Sequence, residues 1–483
     1  MPSANTRQVG WVVLAACAPS LLTLALVAGF WQAGPADFTT LWNDETVYWN
    51  EAAAFIRAGF DGGYITVDEK PARASFSRFG PHGPAFAVLY GGIGRVTGWR
   101  SYSPYLIHLV LIPLCAGSWL WVTRHHRHRW AAGLLVACFF PLLYYLPTGM
   151  QNPLHLGIAF LLAALVESRL PAAWRISLAT ALMTLACLTR PTWALVLPAV
   201  MWGRTPGWWR RVLSFPLSAV LFIAAFIVVT RMAAPYPLTS WITAAVADPA
   251  RGVVVLLGAA AAGAWAFLGP YESWIVTLLR IEIAVALVAG VMLWRREPAE
   301  RWRIEFAALM VLPVLAAMFP AGDIASGREF QILAPHFLAA LLVVAGAGGQ
   351  WLRIPALVHL ALLPTVLPTY FNHHDGRWAG PSQIQRFSDA VHDVVVFDDK
   401  AKSGWENTIL MHADSLQPPL VGLPPGVAIS FVLDWEDQSM PPRSRYVLLS
   451  ERDEPQVRPR VALTKIADTP LGGVYRNEQH PTQ

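Results

Sequence analysis

The sequence predicts a polytopic α-helical membrane protein of about 11 transmembrane helices, followed by a small extracytoplasmic α/β domain. Of its 483 residues, 55% are apolar and only 14% charged, where ordinary globular domains carry about 25% charged residues. The apolar residues come in runs of roughly 20, the length that spans a bilayer's hydrocarbon. Near residue 371 the composition shifts to Pro, Asp, His and Ser with short β-branched stretches. A single soluble core, a disordered chain and a nucleic-acid binder do not fit this pattern. The four cysteines, Cys17, Cys115, Cys138 and Cys187, all lie inside apolar runs as small hydrophobes, so no disulfide framework or metal-spacing motif is present.

Arginine placement orients the spans, because basic short loops stay cytoplasmic. The net charge of +5 is mostly arginine, and arginines gather in residues 124–129, 169–175, 204–211 and 295–303. The first apolar run, residues 10–31, is too long for a signal-peptide core and is read as a retained first helix with a cytoplasmic N-terminus. A long loop, residues 32–103, then lies outside. Spans follow at 104–122, 130–147 and 153–167. The run 176–201 sits between two basic loops and cannot cross only once, so it splits at Thr189-Arg190-Pro191, where proline breaks the helix ladder. Later spans fall at 212–230, 272–294, 304–320, 330–349 and 354–370, the last ending outside. Residues 253–268, rich in Ala and Gly without a basic flank, are placed as an interfacial or re-entrant helix. The division is thus a membrane domain, 1–370, and a soluble extracytoplasmic domain, 371–483, whose strands are expected at 393–397, 427–433 and 446–449.

The outer loop opens with Asn43-Asp44-Glu45-Thr46-Val47-Tyr48. On a helix, Trp49, Ala53, Ile56 and Phe60 form an apolar stripe suited to a membrane surface, and Asp44, Tyr48 and Glu51 project from the other face. Asp44 suits a helix N-terminus, through capping and the macrodipole. It also suits a general base, since a carboxylate at that place can take a proton from a hydroxyl.

A first helix, an outer loop with this acidic pair, and then Arg78-Phe79-Gly80-Pro81-His82-Gly83-Pro84-Ala85-Phe86 leading into a second surface helix resemble the GT-C superfamily of glycosyltransferases. The branch most resembled holds protein mannosyltransferase-like and aminoarabinose transferase-like enzymes. Leu188-Thr189-Arg190-Pro191-Thr192, a basic residue before a late span at Arg328 and the outer C-terminal domain extend the likeness over most of the chain. The resemblance implies transfer of a sugar, with inversion, from a polyprenyl-phosphate donor to a glycan, lipid or protein acceptor at the extracytoplasmic face of the cell (inner) membrane. Asp44 matches the catalytic position, and Glu45 supports it or holds the acceptor. Some members use a divalent metal and others do not, and Asp44 with Glu45 are too few ligands to assign one.

Breaking a sugar–phosphate bond leaves charge on phosphate, which calls for fixed cations in a low-dielectric site. Charged side chains within membranes are costly and so mark functional candidates, which singles out Arg190. Arg328, at the outer start of a span, reaches the same level. Each also has a structural reading: Arg190 satisfying carbonyls freed by Pro191, and Arg328 pairing with Asp323 or Glu329. Arg280 and Glu282 lie on different helix faces and are taken as structural. His82, between Pro81 and Gly83, either binds phosphate or a sugar hydroxyl or completes a turn. Tyr48 can position a sugar, or sit as an interfacial tyrosine. His373-His374-Asp375 reads as a polar linker, and residues 124–129, with three histidines, as a loop touching anionic lipid headgroups.

Two other classes compete. A polyprenyl-diphosphate-dependent oligosaccharide polymerase or ligase usually carries its large outer loop late, whereas here it follows the first helix. A transporter needs broken helices in matched halves, and only Thr189-Arg190-Pro191 reads as such a break.

Overall fold

The computed structural model describes residues 4–37, 43–61, 65–67, 69, 79, 83–125, 129–202, 208–232, 248–268, 280–281, 284, 288, 294–295, 300–321, 329–346, 350–375, 389, 408–412, 428–432, 435, 441–469 and 472–479. Among these, three helices are long and apolar enough to cross a membrane: Thr6–Trp31, Ser103–Val122 and Arg211–Val229. Shorter apolar helices pack around them. The helix Arg211–Val229 is only 22% buried and turns Val212, Leu213, Phe215, Val220 and Ile223 outward. An exposed apolar band of that extent suits a lipid-facing surface.

The helical core is built around α7 (Asn152–Glu167), which is apolar all round and buried on nearly every side, as expected of a helix with no solvent face. It packs between α4 (Ser103–Val122) and α13 (Glu329–Ala345) and touches α8 (Ala172–Cys187). At Gly157 a Cβ would lie 3.3 Å from the Cys115 sulfur, so the small residue sets the approach of α4 to α7. The first helix, α1 (Ala4–Trp31), lies against α4 and α5 (Arg129–Cys138). The rest of the helical body comprises α9 (Leu197–Trp202), α10 (Trp208–Met232), α11 (Pro249–Leu268), α12 (Arg301–Ala321) and α14 (Gln350–Asp375).

The break expected at Thr189-Arg190-Pro191 is present. Helix α8 ends at Cys187, Arg190 is extended (φ −150, ψ 106), and a 3-10 turn, Pro191–Val196, leads into α9. A residue before proline is pushed out of the helical region, and the Thr189 hydroxyl donates back to the Ala186 carbonyl at 2.6 Å. A second break went unforeseen. The span expected at 130–147 divides into α5 and α6 (Phe140–Tyr145), with Phe139 extended (φ −61, ψ 104), because Pro141 has no N–H to continue the ladder.

Residues 253–268 belong to the continuous 20-residue helix α11, which packs along α12. The span expected at 272–294 lies outside the described residues save for isolated positions. Helix α14 runs past residue 370, so His373, His374 and Asp375 form its last turn rather than a separate linker.

The C-terminal sheet has six strands in the order β1-β3-β2-β4-β6-β5. Strands β3 (Ala428–Val432) and β4 (Tyr446–Leu449) fall where β-branched stretches were expected, β2 (Thr408–His412) was not foreseen, and residues 393–397 lie outside the described set. Strands β1, β3, β2 and β4 pair parallel, and β5 (Leu463–Thr469) and β6 (Gly472–Asn477) complete the sheet antiparallel. The edge strand β1 (Ile65–Val67) comes from the loop after the first helix, not from the C-terminal residues. The outer loop and the C-terminal segment therefore share one sheet.

Candidate active site

The site forms where α2 (Asn43–Ala58), the turn 148–152, the break at Arg190 and the start of α13 converge. Asp44 and Glu45 occupy the first turn of α2, where the helix dipole favours carboxylates. Glu45 is fully buried. Its Oε2 accepts the Gly149 amide N–H at 2.8 Å and the Tyr105 hydroxyl at 3.2 Å.

The expected division of α2 into a membrane-facing stripe and an outward polar face is corrected by its packing. Helix α3 (Ala85–Thr97) covers Phe55 and Ile56 through Gly91 and Gly94. The Trp49 indole is buried and donates to the Arg100 carbonyl at 2.9 Å. The polar face points into the protein: Tyr48 and Glu51 are also buried, and the Tyr48 ring meets that of Phe86 at 5.1 Å. Only Phe60 of the stripe stays exposed, at 48%. Covering both faces places the Glu45 and Glu51 carboxylates inside the fold, while Asp44 is half-buried.

Asp44, Tyr48 and Arg190, singled out separately in the sequence, meet here. The Arg190 guanidinium interacts electrostatically with the Asp44 carboxylate and with the Tyr48 and Tyr145 hydroxyls. It is steered there by the extended backbone before Pro191 and held by donating from Nη1 to the Gln331 carbonyl. A guanidinium has five N–H groups, so that one anchoring bond leaves donors for an anion. His82 and Arg328 lie outside the described residues, as do Glu282 and Asp323, whereas Arg280 is described and partly buried.

Several polar residues of the site were not singled out from the sequence. The Asn152 amide donates to the same Gln331 carbonyl at 3.1 Å. The His155 Nδ1 accepts the Trp193 indole N–H at 2.9 Å, and the His336 ring lies 4.3 Å from that of Trp193. Gln151, Asn152, His155 and His336 are all buried, the two histidines completely. A signal for the histidines existed: each interrupts an apolar run, and an ionisable residue there is a functional candidate by default. Among the described residues, no group of three or more His, Cys, Asp or Glu stands close enough to hold a metal ion.

No protein-family model matches the chain, and no curated protein does. Among solved structures, the chain is similar to that of ArnT from Cupriavidus metallidurans bound to undecaprenyl phosphate, over 98% of this chain and 99% of that one, with 13% identity and a TM-score of 0.47. It is also similar to ArnT of the same organism in the apo state, over 100% of both chains, with 15% identity and a TM-score of 0.42.

Proposed function

We propose that the chain is an integral-membrane glycosyltransferase that moves a sugar from a polyprenyl-phosphate donor to an acceptor hydroxyl at the extracytoplasmic face. The observation that carries this reading is the meeting of Asp44 with Arg190. A carboxylate suited to take a proton and a guanidinium suited to receive phosphate interact electrostatically beside a helix break.

In this reaction the acceptor oxygen bonds to the anomeric carbon as its proton passes to Asp44. The bond from that carbon to the phosphate oxygen breaks, and its electron pair stays on the phosphate. Inversion follows because attack comes from the side opposite the leaving group. Arg190 stabilises the charge that develops on phosphate, where exclusion of water strengthens the interaction, and its planar fork suits two phosphate oxygens. Tyr48, one turn after Asp44, borders the sugar. His82 and Arg328 are assigned supporting contacts to phosphate or sugar on the motif resemblance alone.

Glu45 is better suited to positioning than to chemistry, since its Oε2 holds the turn at Gly149 and the Tyr105 hydroxyl. The arginine-rich loops place the N-terminus in the cytoplasm and the site on the opposite face, in a cell (inner) membrane. The acceptor class remains a glycan, a lipid or a protein. The lipid-facing surface of α10 supplies access for a long isoprenoid chain.

The test uses purified protein in lipid nanodiscs, a panel of radiolabelled polyprenyl-phosphate sugars and a crude membrane acceptor. Sugar leaves its carrier with wild type and stays on it with Asp44→Asn. Absence of release from every carrier by folded protein overturns the reading.

A further inference from the structure

The buried polar residues beside Arg190 form a lining that the proton-transfer and phosphate roles leave unused. It is assembled from two elements packed against each other. Gln151, Asn152 and His155 stand at the start of α7, and His336 stands on α13. All four are at least nine-tenths buried.

Their hydrogen-bonding capacity is only partly used. Among the described residues, the Gln151 Nε2, the Asn152 Oδ1, the His155 Nε2 and both ring nitrogens of His336 have no hydrogen-bond partner. Buried polar atoms are nearly always paired, so such a concentration in one place points to a ligand that completes them. Asn152 and Arg190 already share the Gln331 carbonyl, and both imidazoles interact electrostatically with Arg190. The lining is therefore continuous with the proposed phosphate contact.

The chemistry of the unused atoms defines what they hold. His155 accepts through Nδ1 from Trp193, so its proton resides on Nε2, which donates. As a neutral imidazole, His336 offers one donor and one acceptor. Gln151 adds a donor and Asn152 an acceptor. A phosphate needs donors alone. A set that mixes donors and acceptors fits hydroxyls, each of which gives one hydrogen bond and receives others.

We propose that Gln151, Asn152, His155 and His336 form the subsite for the hydroxyls of the transferred sugar. The assignment rests on the glycosyltransferase reading above and adds to it the residues that hold the sugar.

The experiment uses the full chain in nanodiscs. It measures sugar release from polyprenyl-phosphate glucose, mannose, arabinose and 4-amino-arabinose, together with binding of sugar-free polyprenyl phosphate. His336→Phe and Gln151→Leu keep side-chain volume and belong to different elements; Trp193 keeps its acceptor in both. Expected is release from a carrier of this panel, reduced about ten- to a hundredfold in kcat/KM by either variant, with sugar-free carrier binding changed less than about twofold. Release undiminished in both variants overturns the subsite and leaves the transferase standing. So does an equal loss of sugar-free carrier binding in both variants. Failure of wild type to bind or consume any carrier overturns the transferase reading itself, and the subsite with it.

Discussion

Glu45 Oε2 accepts the backbone N–H of Gly149 at 2.8 Å across 104 residues of sequence. This contact ties the first turn of α2 to the turn that opens α7, and so relates the carboxylate of Asp44 to Gln151 and Asn152. Truncating Glu45 leaves the buried Gly149 amide without its acceptor, which costs about 1–3 kcal/mol. Glu45→Ala is expected to lower both the melting temperature and the turnover number. Glu45→Gln, which retains a carbonyl oxygen, is expected to recover most of each. Melting curves and steady-state rates on the three proteins check this. Full activity in a folded Glu45→Ala would remove the positioning role.

Asp44 is expected to behave differently. As the proton acceptor, its substitution by Asn removes the base while keeping size and shape. Turnover is expected to fall by about 10²–10⁴, with KM for the donor little changed. Because Asp44 also interacts with Arg190, donor binding should be retained or tightened, since the guanidinium is released to phosphate. Isothermal titration with sugar-free polyprenyl phosphate measures that directly. Weakened binding in Asp44→Asn would contradict a base set against the phosphate contact.

Arg190→Lys keeps the charge but loses the planar fork and with it the bond to the Gln331 carbonyl. Donor kcat/KM is expected to fall about tenfold or more in Arg190→Lys and further in Arg190→Ala. Both should show weaker binding of sugar-free carrier. A change confined to thermal stability would return Arg190 to satisfying carbonyls freed by Pro191.

How much of this was legible in sequence depends on the reach of the signal. The break at Arg190 was legible because proline acts on its immediate neighbours. Pro141 carries the same local signal, yet the surrounding run from 130 to 147 was long enough to conceal it. The burial of Tyr48 and Glu51 was not legible. A helical stripe says which residues share a face, but not which of two faces a distant helix will cover, and here α3 closes over the apolar one. His155 and His336 lie 181 residues apart by their numbering. Nothing in local spacing brings both of them against Trp193. Strand β1 is similar, because its parallel partner in β3 lies across the entire membrane domain.

Arg303 illustrates a second limit. Its sequence neighbourhood marks it as a topogenic arginine, yet it is buried in an ion pair with Glu167, with a further bond to the Val343 carbonyl at 2.7 Å. Gly346 packs directly against the pair, so no larger residue fits there without displacing it. Removing one partner strands the other charge, which costs about 3–5 kcal/mol. Arg303→Met is expected to unfold at markedly lower temperature in detergent. Glu167→Gln combined with Arg303→Met is expected to regain much of the loss, since no formal charge then stays buried. A double variant no more stable than the single one would show that the pair is not the source of the effect.

Glu69 supplies the joint between the outer loop and the C-terminal sheet. Its carboxylate receives the Ser444 amide at 3.1 Å, the Arg443 amide and the Ser444 hydroxyl, just before β4 begins. The residue is held at a positive φ of 45, a conformation that persists only when its surroundings enforce it. Burial pushes the carboxyl above its ordinary value of 4.5, and the hydrogen bonds from Ser444 and Arg443 offset this only in part. The folded joint then binds a proton more tightly than the opened one. Its stability is fully present below the ordinary carboxylate value and falls as pH rises from there through the raised value. Amide hydrogen exchange at residues 443–447, corrected for intrinsic rates, should show greater protection near pH 4.5 than near pH 7.5. Glu69→Gln carries no charge to desolvate, so its protection should be nearly independent of pH across that window. Protection that increases with pH in wild type would mean that the hydrogen bonds to the ionised carboxylate outweigh the cost of burying it.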